Sequence, residues 1–224
     1  MAQDENKAFL KRVPLFSGLT DSQIERLAAG SVRRSFPKGR TIVAEGEPSQ
    51  SLYVLLSGRA KVQRSDTEGK EVILAVLGPG ECFGEMSLID DAPRSASVIT
   101  IESCDFMSIN KEGFKAMLMS SPEICMRIMK GLVKRLREAD KKIETLALLD
   151  VYGRVARVLL DFSEMVGNER IVRNKLPRQE IAKMIGASRE MVSRVMKGLE
   201  VEGYIVPMPE GRLMLREKLS NYLS

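Results

Sequence analysis

Histidine is missing altogether from the 224 residues, as is tryptophan, and all aromatics together make up only 5%. Without histidine there is no imidazole base, no His-containing triad, and no His-ligated zinc, iron or haem. Carboxylate and lysine chemistry stays open, but a metal-dependent cupin-type enzyme normally needs clustered histidines and is disfavoured. The few rings also argue against a sugar-stacking surface or an aromatic cage. Cysteine is nearly as scarce. Cys82, Cys104 and Cys125 are odd in number and widely spaced, which disfavours a disulfide scaffold or a cysteine zinc site. They read as small buried or partly buried residues in a reducing, cytoplasmic setting. No apolar run approaches the ~18 residues of a membrane span. Met1–Lys7 carries both charges and leads into no signal-type core, so no membrane partner is expected.

What is present is ordinary for a globular chain: 44% hydrophobic and 29% charged residues, enough for one large domain or two small ones. The charge is uneven. Up to Ser121 there are 15 basic and 16 acidic residues, from Pro122 to Asp150 there are 7 and 5, and from Val151 onward 13 and 9. The basic excess sits in the last third. Alone it is a weak sign of nucleic acid and is equally a solvated face.

From about Thr41 to Asn110 the chain reads as short strands broken by turns: 41–44, 51–56, 60–64, 71–77, 95–101 and 105–109, with Gly69 in a hairpin loop and Gly78-Pro79-Gly80 as a break. This even spacing predicts a barrel or jelly roll. Before it, Asp21–Ala28 reads as a short helix capped near Thr20 or Asp21. The period then changes. Over Pro122–Leu149, Met129, Leu136 and Ile143 hold one heptad position and Leu132, Ala139 and Leu146 another, with charges outside. So narrow a seam suits a parallel pairing with a second copy; packing on the chain's own β-domain is the alternative.

A third segment starts near Asp150. Val151–Met165 reads as a helix, followed by a polar stretch. Pro177 suits the first turn of another helix through Ile185. Gly186-Ala187-Ser188 is a short turn, with Ser188 the N-cap of a helix from Arg189 to about Val201. Residues 203–206 and 212–215 make a terminal β-hairpin wing. The domains expected are thus 1–121, 122–149 and 150–224, in an α+β chain with an N-terminal double-stranded β-helix (jelly roll), a long dimerisation helix and a winged helix-turn-helix. In the last helix Val192, Val195, Met196 and Leu199 face the core, while Arg189, Glu190, Ser193, Arg194 and Lys197 face outward. Arginine pairs with guanine O6 and N7, and glutamate accepts from cytosine N4. Lys197 and Arg178 are placed for phosphates, which position without specifying sequence. Double-stranded DNA is the expected partner; a charged protein interface is the alternative.

These segments resemble the CRP/FNR (catabolite-activator) family of transcription regulators. The resemblance covers nearly the whole chain: 13–19, the β-roll, the long helix, Leu149-Asp150-Val151, Arg178-Gln179-Glu180-Ile181, and Gly186–Arg194. It implies a homodimer on a palindromic operator, an effector switch, and recruitment or blocking of RNA polymerase. Arg189, Glu190 and Arg194 match positions that read a TGTGA-like half-site, whereas Ser193 matches a subgroup reading TTGAT.

Phe83-Gly84-Glu85-Met86-Ser87-Leu88 and Pro93-Arg94-Ser95-Ala96 resemble the family's phosphate-binding cassette. Glycine lets backbone N–H groups approach a phosphate, arginine pairs with it, and serine adds a donor. Glu85 suits a ribose hydroxyl. Arg135 and Asp140 of the long helix are expected to meet the base. Where cyclic-AMP activators carry Thr-Ser, this chain has Ala139-Asp140, so cyclic AMP, cyclic GMP and cyclic di-GMP all stay open. So do an effector-independent regulator with a relic cassette and a cyclic-nucleotide regulatory subunit acting on a protein. No cysteine precedes Cys82 to build an N-terminal iron–sulfur cluster, and no histidine serves as a haem ligand.

Overall fold

The computed structural model describes residues 2–223, in two compact units, Met1–Arg135 and Leu136–Ser224. In the first, α1 (Ala2–Leu10), a 3₁₀ turn (Pro14–Phe16) and α2 (Asp21–Ala29) precede the strands. Thr20 caps α2 in a reciprocal capping box with Gln23, which satisfies two N-terminal donors at once. The strands are β1 (Ser31–Phe36), β2 (Thr41–Val43), β3 (Ser51–Ser57), β4 (Ala60–Ser65), β5 (Glu71–Leu77) and β6 (Cys82–Phe83). The one-turn helix α3 (Met86–Ile89) follows, then β7 (Ser97–Thr100), β8 (Cys104–Asn110) and α4 (Lys111–Ser120).

Two antiparallel sheets form, ordered β1-β8-β3-β6 and β2-β7-β4-β5. One apolar cluster includes Val43, Leu55, Phe83, Val98 and Phe106 from strands of both sheets, with the Phe83 and Phe106 rings edge to face at 5.8 Å. A second packs Phe16, Ile24, Leu52, Met107, Ile109, Phe114, Ile124 and Ile128, so the entry helices, α4 and the start of α5 close one face of the roll. Each fully buried large side chain here contributes about 1.5–3 kcal/mol.

α5 (Pro122–Leu148) crosses from one unit into the other. Met129, Leu136, Ile143 and Leu146 are exposed on it, and so are Met126 and Val133. Leu132 of the expected seam is more enclosed than its neighbours. It is half-buried against the core of its own β-domain, because the heptad's second row turns toward the roll in this part of the helix.

The second unit holds α6 (Val151–Asp161), β9 (Glu164–Val166), β10 (Glu169–Val172), α7 (Arg178–Ile185), α8 (Arg189–Val201), β11 (Ile205–Pro207) and β12 (Leu213–Leu215). Asp150 caps α6 by accepting from Gly153 N–H at 2.9 Å. The helix stops at Asp161 rather than at Met165, because Glu164–Val166 pairs with β10. The expected terminal hairpin forms as β11 and β12 and belongs to a four-stranded sheet, β11-β12-β10-β9. Pro177 is the N-cap of α7, one place before the first turn.

Candidate functional site

Arg94 and Glu85 are the two charged side chains most deeply set in the β-roll, each 6% exposed. Sheet register brings them together. The Gly46 N–H donates to Arg94 O and the Arg94 N–H to Glu47 O, which fixes the Arg94 backbone against the β2–β3 connection. Its guanidinium donates to Gly84 O (3.1 Å) and Ser51 O (2.6 Å) and lies 5.8 Å from the Tyr53 ring centre. Burial draws the Arg94 guanidinium below its ordinary range, while Tyr53, Glu85 and Glu47 pull it back. Gly84 turns the chain at φ +86, and a β-carbon there would fall 2.0 Å from Arg94 Nη1. Only glycine lets the backbone and the guanidinium approach so closely.

Glu85 Oε1 accepts from Arg135 Nη1 of α5 at 2.5 Å, and Arg135 Nη2 also donates to Cys82 O. Among the described residues Glu85 Oε2 has no hydrogen-bond partner. A buried carboxylate oxygen without a donor costs free energy, so the site asks for a hydroxyl or amine. Burial, with Glu85 and Glu81 nearby, pushes the Cys82 thiol up to about 12 against the pull of Arg135, which makes it a poor nucleophile. A buried arginine, a left-handed glycine and an orphan carboxylate oxygen fit a phosphate ester bearing a hydroxyl. No cyclic nucleotide chemistry is excluded by this set.

The other expected residues are less enclosed. Met86 opens α3 and is exposed, and Ser95 is exposed beside Arg94. Asp140 is exposed on the stretch of α5 that belongs to the second unit. Two residues of this site, Ser51 and Tyr53, escaped the sequence reading, while Ser87 lies within the expected cassette. Ser51 accepts from Arg94, Tyr53 stacks on Phe83 with ring centres 5.2 Å apart, and Ser87 Oγ donates to Pro93 O at 3.3 Å. A Ser-x-Tyr at a strand start carries no signal by itself.

In the second unit the expected recognition helix is built as its sequence implies. Gly186 ends α7 at φ +66 and Ser188 Oγ accepts the Met191 N–H at 3.1 Å. Val192, Val195, Met196 and Leu199 are buried against Ile181, Ala182 and Ile185. Arg189, Glu190, Ser193, Arg194 and Lys197 are all exposed, and among the described residues none of these charged groups is ion-paired. Arg178 is half-buried at the start of α7. Arg154 was missed. Its Nη1 donates to Ile185 O (2.8 Å), placing a cation on the carboxyl end of α7 and fixing the turn that aims α8. An arginine four residues from an N-cap aspartate gives no hint of a partner 31 residues away.

Comparison with known proteins agrees on both units. Residues 33–121 match the cyclic nucleotide-binding domain and residues 153–222 the Crp-like helix-turn-helix domain. The chain is 34% identical over 200 residues to a CRP-like cAMP-activated global transcriptional regulator of Mycobacterium tuberculosis, covering 88% of this chain and 89% of that one. It is 35% identical over 209 residues to the cyclic AMP receptor protein of Thermus thermophilus, covering 93% and 94%. Among solved structures it resembles the c-di-GMP responsive global regulator CLP of Xanthomonas campestris, with a TM-score of 0.75, 31% identity, and 88% and 99% coverage.

Proposed function

The chain belongs to the CRP/FNR family of transcription regulators, DNA-binding proteins under cyclic-nucleotide control, and from that premise we propose how this member uses its residues. The observation that carries the proposal is the unpaired row Arg189, Glu190, Arg194 and Lys197 along the exposed face of α8. Two copies of the chain, joined along Met129, Leu136, Ala139, Ile143 and Leu146, present two such helices to a palindromic TGTGA-like operator. Half-sites about one helical turn apart, roughly 34 Å, match a two-fold protein. Arg189, Glu190 and Arg194 read base edges, Ser193 biases the half-site, and Arg178, Ser188 and Lys197 hold the backbone.

The effector is a cyclic nucleotide, with its phosphate at Gly84, Met86, Arg94 and Ser95 and a ribose hydroxyl on Glu85. Arg135 bonds both Glu85 and the Cys82 carbonyl, which supports it as the link between cassette and long helix. Asp140 is the acceptor for base N–H groups. A ligand moves a two-state dimer only by its different affinity for the two states. The DNA-bound dimer acts in the cytoplasm by recruiting or blocking RNA polymerase.

The test is binding to a palindromic TGTGA duplex at fixed salt while titrating cyclic AMP, cyclic GMP and cyclic di-GMP. A tenfold change with one of them, about 1.4 kcal/mol of coupling, identifies the effector. Arg94→Ala should remove that response and leave basal DNA binding. Tight binding with no response to any nucleotide refutes the effector half and leaves the DNA half standing.

A further inference from the structure

A cavity of about 420 Å³ opens between the Pro14–Phe16 turn, the Gly80–Cys82 approach to β6 and the α5 residues from Arg127 to Arg135. That size is within the range of small-molecule sites. Pro14, Leu15, Ile128 and Leu132 give it an apolar floor. Its charges are lopsided: Arg127, Lys130, Lys134 and Arg135 against Glu81 and Glu85. The excess of cations comes from one helix, at spacings that place them along a common side. It therefore selects for an anion.

Two further observations point to a ligand rather than to loose packing. Gly131 stands in the middle of the 27-residue α5, where glycine is the poorest helix former after proline. Among the described residues a β-carbon there would meet nothing within 4 Å. Gly131 lines the cavity and leaves bare backbone facing it. The second is Glu85, which also lines the cavity and whose buried Oε2 lacks a donor among the described residues. A carboxylate oxygen has two lone pairs, so it can accept from the cassette's ligand and from a neighbour together.

We propose that this cavity is a second nucleotide site. It takes a phosphate ester whose anion meets the α5 cations, whose hydroxyl or amino group donates to Glu85, and whose flat body lies over Leu15 and the open backbone at Gly131. The proposal rests on the reading of Glu85 as part of the effector cassette. Its occupant is either the far half of a cyclic dinucleotide that also fills the cassette, or an independent mononucleotide.

Isothermal titration of the full-length protein with cyclic di-GMP and with cyclic AMP separates these. The variants are Gly131→Leu, which fills the cavity, Lys130→Ala, on an exposed rim position that a fold defect does not threaten, and Arg94→Ala. A spanning dinucleotide binds once per chain and loses tenfold or more in affinity in all three variants. An independent mononucleotide binds twice per chain, with one event lost in Arg94→Ala and the other weakened at least tenfold in Gly131→Leu and Lys130→Ala. If Gly131→Leu and Lys130→Ala leave affinity and stoichiometry within twofold while Arg94→Ala abolishes binding, the cavity proposal is overturned and the cassette reading stands. Loss in Gly131→Leu and Lys130→Ala with no change in Arg94→Ala keeps the cavity and removes the cassette. No binding of either nucleotide to the wild-type protein overturns both.

Discussion

Replacing Gly84 by alanine probes the cassette at its tightest point. At φ +86 a β-carbon costs about 1–2 kcal/mol in backbone strain alone. The same carbon would lie 2.0 Å from Arg94 Nη1, 3.0 Å from its Cζ and 3.2 Å from Ser51 O. The carbonyl is held in a strand, so the guanidinium must leave. It then forfeits its bonds to Gly84 O and Ser51 O and its place over Tyr53. A displaced guanidinium regains water, so the net loss is that of about one charge-assisted hydrogen bond, about 1.5–3 kcal/mol. The sum, about 2.5–5 kcal/mol, is a large share of the ~5–15 kcal/mol typical of a folded domain. Urea unfolding of Gly84→Ala, Arg94→Ala and the double variant reads it directly. With the guanidinium already gone, alanine at 84 should add only the strain of about 1–2 kcal/mol, giving a coupling energy of about 1.5–3 kcal/mol between the positions. Additivity within about 0.5 kcal/mol would refute the idea that Gly84 is required by the Arg94 guanidinium.

Other consequences are simpler to state. Ser188→Ala removes the cap on Met191 N–H and should cost about 1 kcal/mol of stability in the second unit, measured by thermal melting; no loss would mean that water replaces the cap fully. Arg189→Ala should weaken operator binding by about 1–3 kcal/mol and relax one base pair, whereas Lys197→Ala should weaken all sequences alike and lower the salt slope by about one. Equal losses on every duplex for Arg189→Ala would reassign it to a phosphate. Leu136→Glu places a charge on the exposed row of α5 and should shift sedimentation from dimer to monomer; an unchanged dimer would put the interface elsewhere. The Cys82 thiol, pushed up to about 12 chiefly by burial, stays protonated where an unfolded cysteine ionises, near 9.0. Stability tied to the neutral thiol is complete below about pH 9 and drains away as pH rises toward about 12. Iodoacetamide at about pH 8 should therefore label Cys82 far more slowly in the native protein than in urea, read by mass spectrometry, and equal rates would contradict the shift.

Local rules make much of this protein legible from its residues alone. The capping box at Thr20, the cap at Ser188, the left-handed turn at Gly186 and the buried face of α8 all follow from interactions within about four residues along the chain, so sequence spacing suffices to find them. The cassette residues Gly84, Glu85 and Arg94 are legible as a resemblance, and the lack of histidine removes most competing chemistry without reference to the fold. What stays hidden is long-range. β1 carries Arg33 and Arg34 on an edge strand and shows no apolar alternation, so only its pairing with β8 reveals it. Leu132 fits a heptad seam as well as Leu136 does, and only the position of the roll decides that it turns inward. Ser51 meets Arg94 across 43 residues, and Arg135 meets Glu85 across 50. Periodicity determined which face of each helix is apolar. Tertiary packing decided what each face meets, because contacts between distant segments depend on sheet register and helix placement, which no local spacing encodes.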